Sequence, residues 1–216
     1  MRDVWSAVLG GHIRFATFAL ASSCASASPE VAGRSSALHV EDANAPPTFA
    51  ALPDVPKTQQ SPRIVQGLSL ARHVLADGLP TPPDDRRYVT LQGWIDQTVA
   101  PWISTRRDNT DETRFEFALQ AGASDEERVI ALGVLGLLEE NTALELTHIP
   151  VPIELDTEPE IADIFRDLVE TQAKPFRNAA KQQYRSCSAE ADRASDDVHR
   201  WATFCRGRYA RLTPSP

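Results

Sequence analysis

Nowhere in these 216 residues do basic side chains gather. Lys and Arg number 22 against 30 Asp and Glu, for a net charge of −8, and the densest basic sites are pairs such as Arg86-Arg87 and Arg106-Arg107. A chain without a basic patch cannot neutralise a run of phosphates, so nucleic acid is not an expected partner. Three cysteines without a Cys-x-x-Cys provide no dithiol redox motif. Two cysteines and His199 do not complete a tetrahedral ligand set, so no metal is expected. His-Glu-x-x-His, Gly-x-Ser-x-Gly and a glycine-rich turn after a strand are all missing, which removes the local signatures of zinc hydrolases, serine hydrolases and phosphate cradles. The adjacent carboxylates Glu126-Glu127, Glu139-Glu140 and Asp196-Asp197 do not face one another on a helix, and are expected to be solvated or to cap. Isolated histidines, His73, His148 and His199 among them, add no base. No catalytic residue and no cofactor is therefore assigned, and the chain is not expected to be an enzyme.

What is present begins with "MRDVWSAVLGGHIRFATFALASSCASAS". Arg2 and Arg14, a short apolar run from Phe15 to Ala21 and the small residues after it follow the order of a secretory signal peptide over residues 1–23. The run is too short to span a bilayer as a helix. "LASSC" resembles a bacterial lipobox ending at Cys24, with Ala21 where that pattern prefers Leu, while Ala25-Ser26-Ala27 makes an A-x-A cleavage site. Two routes stay open: a lipoprotein acylated on Cys24 and anchored to the membrane, or a soluble exported chain starting near Ser28. Both place the protein in the periplasm or the cell envelope, and both leave Cys187 and Cys205 as the disulfide candidates.

Residues 24–62 are rich in Ala, Ser and Pro and lack an apolar period, so they are expected to be a disordered tether. Residues 63–216 then read as an all-α domain, a helical bundle of about five or six helices with no alternating strand pattern. A helix begun at Ile64 is stopped by "GLPTPPDDRR", which offers Asp84 or Asp85 as the next N-cap. Tyr88, Leu91, Ile95, Val99 and Trp102 make a core-directed face, with Pro101 as a kink. "RDNTDET" is expected to punctuate the chain, followed by a short helix carrying Phe115 and Leu119 and closed by Gly122. Ser124 and Glu127 form a capping box for a central helix that is apolar almost all round, with Gly133 and Gly136 allowing close approach of a neighbour. Thr157 and Glu160 suggest a second capping box. After it, Ile161, Ile164, Phe165, Leu168, Gln172, Phe176, Ala180, Tyr184, Cys187 and Ala191 keep one phase through Pro175, predicting a single long kinked helix. The last helix has Val198, Trp201, Cys205, Tyr209 and Leu212 inward, with Arg206, Arg208 and Arg211 at its C-terminal end.

Cys187 and Cys205 are equidistant from residue 196, where the chain turns, so an antiparallel hairpin sets them at one height. The spacing permits a cross-helix disulfide, which an oxidising compartment would form and which a loop of this size makes worth about 3 kcal/mol. Two buried unpaired thiols are the alternative. Ala180-x3-Tyr184-x2-Cys187 and Trp201-x2-Phe204-Cys205 resemble the two half-motifs of tetratricopeptide repeats, over about the last 40 residues. The second half-motif comes about three residues late for that repeat's period. The resemblance implies a helix-pair scaffold that binds protein segments.

Together these features point to an exported helical module of the cell envelope that serves interaction or scaffolding, with a protein as partner and the membrane contacted through the lipid if Cys24 is acylated. A small-molecule or lipid-binding bundle is the alternative. An enclosed apolar cavity near Trp94 and Trp102 would favour the binder, and an exposed apolar groove the scaffold.

Overall fold

The computed structural model describes residues 45–117 and 122–213, all of them helix, turn or irregular chain. The signal segment, Cys24, residues 24–44 of the expected tether, and Leu119 lie outside the described residues. Five helices make the bundle. Helix α1 is Pro62–Ala76. Helix α2 runs over residues 88–116, as Tyr88–Trp94, a π-helical turn Ile95–Val99, and Ala100–Glu116. Then come α3 (Asp125–Thr147), α4 (Pro159–Ala191) and α5 (His199–Leu212).

Helix α3 is the axle. Ser124 Oγ accepts from the Glu127 amide at 3.1 Å and the Glu127 carboxylate accepts from the Ser124 amide at 3.2 Å, so the capping box satisfies two amides that a helix start leaves open. Val129, Ile130, Ala131, Val134, Leu135, Leu137, Leu138 and Leu146 are all fully buried, and the other four helices pack around them. A Cβ added at Gly136 would stand 2.6 Å from Tyr184 Cε1, and one at Gly133 would stand 2.9 Å from Trp201 Cε3. The two glycines thus let two large aromatic side chains, both fully buried, lie flat against the helix axis.

Helix α2 departs from the sequence expectation. "RDNTDET" does not break the chain but continues the helix to Glu116. The inward positions there are Arg106, Thr110, Thr113 and Phe117, all buried, spaced four, three and four apart as a helix face requires. Because most of that face is polar, an apolar search misses it. Thr113 Oγ1 donates back to the Asn109 carbonyl at 2.8 Å, which suits a hydroxyl inside a helix. Phe115, expected on a short separate helix, lies on this one and is 80% exposed. The π-helical turn lies just ahead of Pro101, whose ring has no N–H to give and crowds the carbonyl four residues back.

Caps also come from elsewhere in the chain. Neither Asp84 nor Asp85 caps α2. Asp85 instead pairs with Arg87 and accepts from Thr90, and both oxygens of Glu154 accept from the Tyr88 amide at 3.1 and 2.9 Å. At the start of α4 the N-cap position is Glu158 and no side chain caps it, so the expected Thr157–Glu160 box does not form. Pro159 takes the first turn, where its missing donor costs little. The helix then runs unbroken through Pro175 for 33 residues.

Residues 45–61 were the second half of the expected tether, and here the structure corrects the boundary. Phe49, Leu52 and Val55 pack against the core. The carbonyl of Pro47 accepts from Asn141 Nδ2 at 2.9 Å and that of Asp54 accepts from Trp201 Nε1 at 3.2 Å. Arg72 stacks over the Phe49 ring. A proline-set strap with 3-10 turns at Phe49–Ala51 and Lys57–Gln59 buries single side chains and supplies carbonyls to the domain, so it has no period for a sequence reading to find.

Candidate functional site

Cys187 and Cys205, on the inward faces of α4 and α5, are joined by a disulfide with their Cα atoms 6.2 Å apart. Both are fully buried beside Val129, Val134 and Trp201, so the bridge cross-links the hairpin from inside the core. Trp102 and Trp201 are core residues as well. The Trp102 indole donates to the Asp77 carbonyl at 3.1 Å, and the enclosed N–H of Trp94 has no acceptor among the described residues. His73, His148 and His199 are exposed and stand on different elements. Among the described residues no group of three or more His, Cys, Asp or Glu could hold a metal ion, and no helix is long and apolar enough to cross a membrane.

What the sequence reading missed is a polar layer through the middle of α3, on the four consecutive residues Glu139, Glu140, Asn141 and Thr142. Glu140 is 3% exposed; it accepts from the Tyr184 hydroxyl at 2.7 Å and from Arg208 Nη1 at 3.4 Å. It is therefore buried, and the solvated role expected for the Glu139-Glu140 pair does not hold for it. Arg208 is likewise buried rather than a surface cation at the end of α5. Burial and the adjacent Glu140 carboxylate both push the Tyr184 phenol upward, so it stays a donor. On the next faces of α3, Arg106 donates to Thr142 Oγ1, to Asn141 Oδ1 and to the carbonyls of Val74 and Asp77. The last two carbonyls belong to the end of α1, so a guanidinium closes the negative pole of that helix. Burial pulls the Arg106 pKa down to about 10, which keeps it charged at neutral pH. Glu139 reaches Arg114 at 3.3 Å, and burial raises its pKa above the ordinary carboxylate value. A signal for this layer did exist. In a helix buried all round, a run of four polar residues can only face inward and must have partners.

Among the described residues these groups pair with one another and tie α1, α2, α4 and α5 to α3. Several exposed large apolar side chains gather on the first half of α4, apart from the single exposed Val65, Val89 and Phe115 elsewhere. Ile161 is 37%, Ile164 58% and Leu168 42% exposed, beside Ile153 at 50%. The residues that this half of the helix turns to the domain are Ala162, Val169 and Ala173, all buried, with Phe165 half-buried beside them. A cleft of about 280 Å³ also opens at this half of the helix, lined by Thr147, Ile149, Phe165 and Val169 with Arg166, Asp167 and Glu170 at its edge, and none of the exposed apolar residues lines it. Exposed large apolar side chains over small buried ones invert the normal order of an amphipathic helix. The sequence placed Ile161, Ile164 and Leu168 in the core, and the structure places them outside.

No family model, no curated protein and no solved structure matches this chain.

Proposed function

We propose that this chain is an exported interaction module of the cell envelope, delivered by its N-terminal leader and held at the membrane through Cys24 where that residue is acylated. Its working surface is the exposed apolar face of α4. The observation that carries this reading is the outward set of Ile161, Ile164 and Leu168 on one side of one helix. Burying a whole Ile or Leu side chain is worth about 1.5–3 kcal/mol, so covering these half-exposed residues offers roughly 1 kcal/mol apiece to a partner. The Cys187–Cys205 bridge agrees with maturation in an oxidising compartment.

Two measurements test the proposal together. Fractionation and intact-mass analysis of the chain expressed with its own leader should find it outside the cytosol, either acylated on Cys24 or starting near Ser28. A photo-crosslinking residue at position 164 should give a discrete protein adduct in cells, and one at position 112 on the exposed side of α2 should not. A full-length cytosolic chain would refute the localisation, and equal labelling from both positions would refute the surface.

A further inference from the structure

We propose that the occupant of the α4 face is a basic amphipathic helix of a partner protein. This rests on the interaction reading above and names the chemistry of the partner. Between residues 153 and 170 the chain carries seven carboxylates, Glu154, Asp156, Glu158, Glu160, Asp163, Asp167 and Glu170, against one cation, Arg166. Three of the seven are engaged: Asp163 with Arg166, Glu170 with Arg177, and Glu154 with the Tyr88 amide. Asp156, Glu158, Glu160 and Asp167 are exposed and have no ion pair among the described residues.

Placement matters as much as number. At about 100° per residue, Ile161, Leu168 and Ile164 form a strip along two turns of α4. On one side of that strip the helix meets the domain through Ala162 and Val169. On the other side the next positions round the helix are Glu160, Asp167 and Asp163. A guest lying along the strip therefore has apolar surface beneath it, the half-buried Phe165 towards the domain on one flank and carboxylates on the other. That pattern is complementary to a helix with apolar residues at i, i+3 or i+4 and i+7 and with Lys or Arg beside them. Charge also argues against the other occupants. A second copy of this chain would bring the same carboxylates to the contact, and an anionic lipid surface would be repelled by them.

The test uses the full oxidised chain and a synthetic helical peptide of about five turns, with Leu at the i, i+3, i+4 and i+7 positions and Lys on both flanks. The control peptide carries Glu in place of each Lys. Fluorescence anisotropy should show binding of the Lys peptide that weakens as salt rises, and no binding of the Glu peptide. The double variant Ile164→Ser, Leu168→Ser alters exposed positions and should keep its helical circular dichroism while losing affinity by at least about tenfold. Glu160→Lys with Asp167→Lys should weaken binding severalfold and flatten the salt dependence, and Glu112→Lys on α2 should change neither. Equal binding of the two peptides, or undiminished binding by the Ser variant, would overturn the proposal. So would concentration-dependent dimerisation, or binding to phosphatidylglycerol vesicles, that the Ser substitutions abolish. If position 164 crosslinks a protein in cells while the Lys peptide fails to bind, the interaction module stands and the basic helix falls. If neither occurs, both fall.

Discussion

Replacing Arg208 by Met should be among the most damaging single changes in the domain, even though the residue lies near the end of the last helix. Arg208 is 6% and Glu140 3% exposed, their closest atoms are 3.4 Å apart, and Tyr184 is the other partner of that carboxylate among the described residues. Met retains the aliphatic bulk over the Phe204 ring, which Arg208 covers at 5.5 Å. The loss is thus mainly electrostatic, a carboxylate left in the core with one neutral donor. Breaking a buried pair from one side costs about 3–5 kcal/mol, whereas replacing all the polar members by apolar groups of similar size is often neutral or better. The triple variant Glu140→Leu, Tyr184→Phe, Arg208→Met should therefore recover to within about 1 kcal/mol of the parent. Urea denaturation followed by circular dichroism, compared at constant m, measures both. A single variant that loses less than about 1 kcal/mol, or a triple that falls as far as the single, would show that Glu140 and Arg208 do not support each other as described above.

Three further outcomes follow from the same contacts. Purified exported protein should show no reactive thiol at Cys187 or Cys205 even when denatured, and replacing both by Ala should lower stability by about 3 kcal/mol without loss of helix; two titratable thiols would refute the bridge. Gly136→Ala should destabilise by about 1–3 kcal/mol despite the better helix propensity of Ala, because its Cβ would meet the Tyr184 ring at 2.6 Å; an unchanged melting temperature would mean that the ring yields. Glu126 accepts from the Ser195 amide at 3.0 Å, and chiefly that bond draws its pKa from 4.5 down to about 2. A carboxylate depressed on folding lends stability above its unfolded pKa and loses it as the pH falls, so between pH 4.5 and 2 the parent should lose stability faster than Glu126→Gln. Parallel pH curves in thermal melts would contradict this.

Much of the bundle was legible from residues close together in the chain. The Ser124–Glu127 box, the all-round apolar helix after it and the paired glycines are local patterns, and each holds in the structure. The cysteine hairpin was legible for a related reason: a turn at residue 196 makes symmetric positions meet, whatever the rest of the chain does. What could not be read were the contacts whose partners lie far away. Glu154 caps α2 from 66 residues downstream, Asn141 reaches Pro47 across 94, and Arg106 closes a helix that ends 30 residues before it. No local pattern announces such partners. Asp84, Asp85, Thr157 and "RDNTDET" were read by their intrinsic preferences for caps and turns, and tertiary contacts overrode them.

The exposed face of α4 failed for a different reason, and that reason bears on function. The stripe Ile161, Ile164, Leu168, Gln172, Phe176, Ala180, Tyr184, Cys187, Ala191 advances by four residues at six of its eight steps, a period longer than the helical repeat of about 3.6. Such a stripe winds round the helix, by about 120° over this length, instead of holding one side. Phe176, Ala180, Tyr184 and Cys187 face α3 and are buried, and following the stripe back towards the start of the helix carries it off the domain until Ile164 and Leu168 stand in water. One continuous apolar pattern thus serves two surfaces. The second half of the helix folds the protein, its partner being α3 and the α5 hairpin. The first half repeats the same residue types with no partner among the described residues, while Ala162, Val169 and Ala173 do its packing. Since smaller side chains already seat that half, Ile161, Ile164 and Leu168 add little to the fold, and polar substitutions there should cost binding far more than stability.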